Sequence, residues 1–177
     1  MIGTITIKDF TAFASERKMK SAVNRALKQA WFDSARYFHD RFRDKRFTVE
    51  HARAAGYAPR KGEQSGLSAK AFFKSYTGIK FKRFGHKNPL EFSGETRKAV
   101  RSYVSLSSTS KGGKASYPGA RVFNFKNRYS DPSLNMNLEF RTILPNEAKE
   151  IASVIDAYMD TRWHVDFRDP EVDKYFA

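Results

Sequence analysis

Cysteine is absent from this 177-residue sequence, which excludes disulfide bonds and any zinc site built on thiolates. No stretch approaches the roughly 18 consecutive apolar residues of a membrane-spanning helix, so we expect no transmembrane segment. The first residues lack a basic segment followed by an apolar one, and we therefore expect no signal peptide. Together these absences favour a chain that folds without an oxidising compartment and without a membrane.

Acidic residues are scarce, since 19 Asp and Glu accompany 33 Lys and Arg and leave a formal net charge of +14. From Asp156 onward, however, six acids outnumber three bases, so this end is mildly acidic and the rest of the chain is strongly basic. A basic body predicts a polyanionic neighbour, either nucleic acid or an acidic protein surface. Solubility alone is the alternative explanation for such a charge.

Signatures of catalysis and metal binding are missing as well. The four histidines show neither the i, i+4 spacing of a helical zinc site nor a recognisable carboxylate partner, and glycine-rich phosphate loops and the Gly-x-Ser-x-Gly elbow are absent. We therefore predict no enzyme, no metal and no cofactor. Two alternatives stay open: a basic nucleic-acid-binding protein, and a small ribonuclease that uses His39 and His86 as general acid and base.

Aromatic residues are plentiful in contrast, at 15% of the chain with 16 Phe, and can supply a hydrophobic core. Apolar residues at i, i+3 and i+4 predict one long amphipathic helix over residues 19–47. A second helix should begin at Pro145, because proline suits the first helical position. Strands are predicted where apolar residues alternate, at 4–7, 99–107, 121–126 and 136–141.

This order of elements favours a single α+β domain over residues 1–163, followed by a tail at 164–177. An antiparallel sheet of about four strands should pack against the long N-terminal helix and the C-terminal helix. We expect the two helices and the last strand to share one core, made of Trp31, Phe38, Leu138, Phe140, Ile151 and Ile155.

Residues 51–66 are small and polar and contain several Gly and Pro, which predicts an extended loop. We expect this loop to become ordered against a neighbouring subunit, with Tyr57 and Pro59 at the interface and Phe176 of the tail as a further contact. After the loop, Ser68 should cap a short helix that ends near residue 77, and the chain after Gly78 should be extended.

The interval 97–128 holds eight bases and no acid. Within it, a polar run at 107–116 predicts a hairpin loop with Lys111 and Lys114 at its tip. We expect these lysines to face DNA or another polyanion, because clustered like charges repel unless a counter-charge or open solvent relieves them. A purely solvated surface is the alternative. The further candidates for this role are Arg60, Lys61 and Arg121.

Four stretches occur in a suggestive order between Trp31 and Tyr158. They are the basic, aromatic helix at 31–47 with the loop YAPR at 57–60, the segment GHKNPLEFSGE at 85–95, the strand entry YPGARV at 117–122, and FRTILP at 140–145 before the last helix. In this order they resemble the minor virion proteins of tailed bacteriophages described as tail-completion, neck or head–tail joining proteins.

The resemblance implies a structural role without catalysis. Copies of such a protein form a homo-oligomeric ring, of six or twelve subunits, around the DNA channel and join the head connector to the tail. It further implies non-specific contact with genomic DNA, interfaces with other connector and tail proteins, and a place in the virion after assembly in the host cytoplasm. Diffuse positive charge suits a channel crossed by DNA better than base-reading side chains do.

Overall fold

The fold is that of a computed structural model and is described for residues 16–63, 66–118 and 135–166. Within these ranges the chain forms seven α-helices and one antiparallel pair of strands, which gives the expected α+β class with a long N-terminal helix. The helices are α1 Glu16–Tyr37, α2 Val49–Ala54, α3 Ala69–Lys74, α4 Tyr76–Phe84, α5 Glu95–Ser102, α6 Met136–Arg141 and α7 Pro145–Asp166. The strands are β1 Ser105–Thr109 and β2 Gly112–Ser116.

The long N-terminal helix is confirmed, although only its first part, α1, is α-helical. After Tyr37 the chain continues as a π-helical segment at Phe38–Phe42 and a 3-10 segment at Asp44–Phe47. Phe42 and Phe47 are both fully buried, so the apolar stripe runs through both irregular segments. The run ends at Thr48, whose hydroxyl accepts a hydrogen bond from the His51 N–H at 3.2 Å and caps α2.

Helix α7 and the β-hairpin both lie along α1. The direction of α7 is opposite to that of α1, because Glu147 near its start binds Arg46 beyond the end of α1, whereas Arg162 near its end lines a depression together with Ala22. Pro145 takes the first position of α7, as predicted. The Glu147 carboxylate accepts a hydrogen bond from the Leu144 N–H at 3.0 Å, as in a capping box.

The sheet has two strands within the described residues. Its register pairs Ser105 with Ser116 and Thr109 with Gly112, which leaves a two-residue turn at Ser110 and Lys111. The hairpin loop predicted over 107–116 is therefore wrong in extent, because most of these residues, Lys114 among them, are in the paired strands. The strand expected over 99–107 begins later, because α5 occupies its first residues. The strands expected at 4–7 and 121–126 lie outside the described residues, so a sheet of about four strands is not confirmed.

The strand predicted at 136–141 is wrong, because these residues form helix α6. The Asn135 side chain accepts a hydrogen bond from the Leu138 N–H at 2.9 Å and caps the helix. The helix buries the adjacent residues Glu139 and Phe140, which a strand would point to opposite faces. Leu138, which we expected in the core, is 64% exposed.

The main core joins residues that are far apart in sequence: Phe47, Leu90, Val100 and Phe140, with partly buried aromatic neighbours. Of the six residues predicted for the core, Phe140 is therefore the one found in this cluster. Four others are half-buried on α1, the π-helical segment and α7: Trp31, Phe38, Ile151 and Ile155. The first three of these line a groove of about 670 Å³ with Phe140 and the hairpin.

The region before residue 85 contains more helix than predicted. Helix α2 occupies the start of the expected loop, and α4 replaces the extended segment expected after Gly78. Ser75 begins α4 by accepting a hydrogen bond from the Gly78 N–H at 3.1 Å, and Gly85 ends it with a left-handed φ of 73°. The helix expected after Ser68 is present as α3, but it ends at Lys74 rather than near residue 77, and it packs against α4.

The hairpin approaches α1 at backbone level, and we expect Gly113→Ala to destabilise the fold for this reason. A Cβ at Gly113 would lie 2.2 Å from the Trp31 carbonyl oxygen and 3.2 Å from the Ala35 Cβ. Moving the hairpin away from α1 should cost about 1–3 kcal/mol, the usual range for overpacking. The matched control is Gly112→Ala, because a Cβ at Gly112 meets no atom within 4 Å. Urea unfolding of both variants gives the comparison, and equal stability would show that the hairpin does not touch α1 so closely.

Candidate interaction surfaces

The hairpin tip brings predicted polyanion-facing lysines next to the first half of α1. Ser110, the neighbour of Lys111 in the turn, lines a shallow depression of about 450 Å³ with Lys20, Arg25 and Lys28. None of the residues lining this depression is acidic. Two elements distant in sequence therefore build one positive surface. We call it the basic ridge, and it consists of Lys20, Arg25, Lys28, Lys111 and Lys114.

All five basic-ridge side chains are exposed. Lys114 lies on β2 opposite the exposed Ser107, and it also lines the groove beside Trp31 and Phe38. Within the described part of the chain, neither Lys111 nor Lys114 forms an ion pair. Their charges are available to an external anion, which is what contact with a phosphate backbone requires.

The other residues predicted to face a polyanion do not join the basic ridge. Arg60 is buried and forms a two-point ion pair with the Glu139 carboxylate, so we leave it out of the proposed anion-facing set. The Glu139 contact outweighs the burial that would lower the pKa of Arg60, and the pKa is raised. Lys61 is exposed, and its backbone carbonyl accepts a hydrogen bond from the Thr77 N–H at 3.1 Å. Arg121 lies outside the described residues.

The residues predicted to contact a neighbouring subunit differ in how exposed they are. Tyr57 is half-buried against the core, with its ring 5.7 Å from that of His51, and burial raises the pKa of its hydroxyl. Pro59 is exposed. Phe176 lies outside the described residues. Among the described residues of this set, Pro59 is therefore the one whose side chain is exposed and open to a neighbouring subunit.

A second surface surrounds α3 and α4 and was not predicted as such. Large apolar side chains remain unusually open there, from 38% for Ile79 to 48% for Phe73. Helix α4 carries such residues on several sides, and its contacts with α3 and with the segment at 86–92 leave these residues partly open. We call this area the α3–α4 surface, and its exposed apolar residues are Phe73, Tyr76, Ile79, Phe81 and Phe84.

Exposed bases are interleaved with these rings. The Lys87 ammonium lies 4.9 Å from the Phe72 ring centre and 5.1 Å from that of Phe81, within the range of cation–π attraction. The other exposed bases of this stretch are Lys70, Lys74, Lys82 and Arg83. The α3–α4 surface is thus both apolar and positive, which is a combination suited to an anionic partner that also carries hydrophobic groups.

The buried ion pair between Arg46 and Glu147 has a structural role. Arg46 is 0% exposed, and its two terminal nitrogens donate to the Glu147 carboxylate at 2.7 and 2.9 Å. Burial would raise the pKa of Glu147, but the hydrogen bonds from Arg46 and the Leu144 N–H lower it overall. The pair fixes the start of α7 to the end of the N-terminal helical run.

The histidines belong to separate environments. His39 is buried and stacks on Tyr117 with ring centres 5.7 Å apart. Its Nε2 accepts a hydrogen bond from the Arg43 guanidinium. Burial first and Arg43 second lower the pKa of His39. His86 instead stacks on Phe84, and its Nε2 lies 3.6 Å from Glu91. Among the described residues no contact joins these two histidines into an acid–base pair.

The described residues contain no group of three or more His, Cys, Asp or Glu that could hold a metal ion. None of the helices that the structure describes is both long and apolar enough to cross a membrane. Comparison with known proteins gives no further guide, because no family model, curated protein or solved structure matches this chain.

Proposed function

We propose that the chain is a structural subunit of the head–tail junction of a tailed bacteriophage. In this proposal copies assemble into a ring around the DNA channel and join the head connector to the tail, inside a virion assembled in the host cytoplasm. The role is mechanical and electrostatic, and we propose no catalytic step for it. The sequence resemblance suggests the setting, and the surfaces of the folded chain provide the physical support.

The basic ridge is the observation that carries the proposal. Its five exposed bases come from α1, from the hairpin turn and from β2, and the three on α1 line a depression that has no acidic lining residue. Such a surface can follow a phosphate backbone without reading bases, as a channel crossed by any genomic sequence requires. The α3–α4 surface supports assembly, because an exposed apolar area of this kind is typical of protein–protein contact.

A nucleic-acid-binding protein that does not assemble into a virion would use the same basic ridge. The oligomeric state and the presence of the chain in virions therefore distinguish the two functions. The ribonuclease alternative has less geometric support, because His39 and His86 sit in different side-chain clusters. A ring-sized oligomer by native mass spectrometry, or density for the chain at the neck of a particle, favours the junction subunit. A monomer that binds nucleic acid and is missing from virions would overturn the proposal.

The charge of the hairpin tip gives a direct test of DNA contact. We expect Lys111→Gln with Lys114→Gln to weaken non-specific binding to duplex DNA and to lower the slope of log K against log salt by about one for each lysine. In assembled particles the same pair should impair DNA retention. Fluorescence anisotropy with labelled duplexes over a salt series measures the slope.

The matched control removes two exposed bases elsewhere, Arg53→Gln on α2 and Lys149→Gln on α7. This control should leave the salt slope almost unchanged, and circular dichroism should show that both double variants remain folded. Particles that retain DNA and infect normally without Lys111 and Lys114, together with identical slopes for both variants, would mean that the hairpin tip is only a solvated surface.

A further inference from the structure

We infer that the α3–α4 surface of one copy binds the acidic, aromatic segment that follows α7 in a second copy. The inference rests on the self-assembly part of the proposed function, but it requires neither DNA nor a virion. It assigns an occupant to an apolar and basic area that the described part of the chain leaves open.

The chemistry of the two partners is complementary. Residues 167–177, which follow α7, contain three acids and two bases, and they include the aromatic residues Phe167, Tyr175 and Phe176. The α3–α4 surface presents bases between exposed rings, with Lys87 placed over two of them. Acid–base pairs would set the register of such a contact, and ring-on-ring burial would supply most of its affinity.

The direction of α7 argues for a second copy as the source of the segment. Its start is fixed at Arg46, near the main core to which Leu90, six residues after α4, belongs, and its end lies beside the first turns of α1. A helix of 22 residues is roughly 33 Å long. Position 176 follows the helix by ten residues and reaches at most about 36 Å beyond its end, so an intrachain contact would need an almost straight chain.

A segment that continues from the end of α7 and a different surface, the α3–α4 surface of a second copy, form a heterologous, head-to-tail contact. Repetition of such a contact closes into a ring when the rotation between copies permits it, and otherwise gives an open filament. The inferred interface therefore has the symmetry that a ring-forming subunit needs. An isologous dimer would require the same patch to face itself, and two basic α3–α4 surfaces would repel each other.

The test reverses the charge on each side separately in the full chain. The first variant carries Lys74→Glu and Lys82→Glu, and the second carries Asp169→Lys, Glu171→Lys and Asp173→Lys. Sedimentation velocity over a concentration series should show that each variant alone self-associates at least about tenfold more weakly than the unchanged chain. A mixture of the two variants should recover association, because each reversed surface then meets a reversed tail.

The control variant, Arg53→Glu with Lys149→Glu, changes two exposed bases away from the α3–α4 surface and should associate like the unchanged chain. Phe73→Ser provides a second, uncharged perturbation of an exposed ring and should also weaken association. Failure of the mixture to recover association would overturn the inference, as would an unchanged chain that stays monomeric at every concentration. Association that persists in all variants would place the interface elsewhere, while leaving the DNA test of the basic ridge unaffected.

Discussion

Glu147→Ala should lower the free energy of unfolding by about 3–5 kcal/mol, the usual cost of removing one partner of a buried ion pair. Arg46 is 0% exposed and Glu147 1% exposed, so the substitution would leave a guanidinium without its counter-charge in the interior. The Leu144 N–H would lose its acceptor at the start of α7 as well. Urea unfolding followed by circular dichroism at neutral pH measures the loss.

Two comparison variants identify the cause of that loss. Asp156→Ala removes an exposed acid from the same helix and should change stability by no more than about 0.5 kcal/mol. Arg46→Met combined with Glu147→Leu removes both charges and should recover most of the stability, since apolar replacements of similar size remove the desolvation cost. A double variant as unstable as Glu147→Ala would show that helix capping and packing, rather than the unpaired charge, dominate.

The pH dependence of this pair has a definite sign. Because the folded-state pKa of Glu147 is lowered, its contribution to stability is complete above the ordinary glutamate pKa and is lost as pH falls through the lowered value. The difference between the unchanged chain and Glu147→Ala should therefore persist at pH 6 and narrow only under strongly acidic conditions.

Phe47→Ala should also cost about 3–5 kcal/mol, because it opens a cavity in the main core. Phe47 is 1% exposed, packs against Phe140 with ring centres 6.0 Å apart, and lies under the Arg97 guanidinium at 5.9 Å. For a chain of this length the loss corresponds to a fall of roughly 6–20 °C in melting temperature.

Phe73→Ala is the matched control for Phe47→Ala, since Phe73 is 48% exposed and the same atoms are removed. It should lower the melting temperature only slightly. Similar melting temperatures for the two variants would contradict the placement of Phe47 in the core and, with it, the packing of the 3-10 segment against α6.

Local sequence patterns were enough to predict the two long helices, because their signals do not depend on residues far away in the sequence. The stripe over 19–47 and the proline at 145 are signals of this kind, and both helices are present. The segment 136–141 was misassigned because six residues are too few to separate alternation from a helical repeat. Its conformation is decided by Asn135 at the cap and by Glu139, which reaches the distant Arg60.

The candidate site was predicted in part. The polar run predicted a hairpin with both lysines at its tip, but only Lys111 lies in the turn and Lys114 lies on β2. No local pattern could show that the turn lies beside Lys20 and Lys28. Residue type alone also made Arg60 look like a surface base, because its partner Glu139 is 79 residues away. By contrast, the sequence did contain the signal for α4, since Ser75 and Gly85 are a good N-cap and C-terminal glycine around a nine-residue helix.

The two irregular segments that follow α1 affect how this chain can change length during evolution. A π-helical turn winds less per residue than the roughly 100° of an α-helix, whereas a 3-10 turn winds more, about 120°. The segment Phe38–Phe42 and the segment Asp44–Phe47 therefore change the helical rotation in opposite senses ahead of the buried side chains of Arg46 and Phe47. A single-residue insertion or deletion in one segment would rotate both side chains away from their partners unless the other segment changed in the opposite sense, so descendants of this sequence should gain and lose residues in the two segments together.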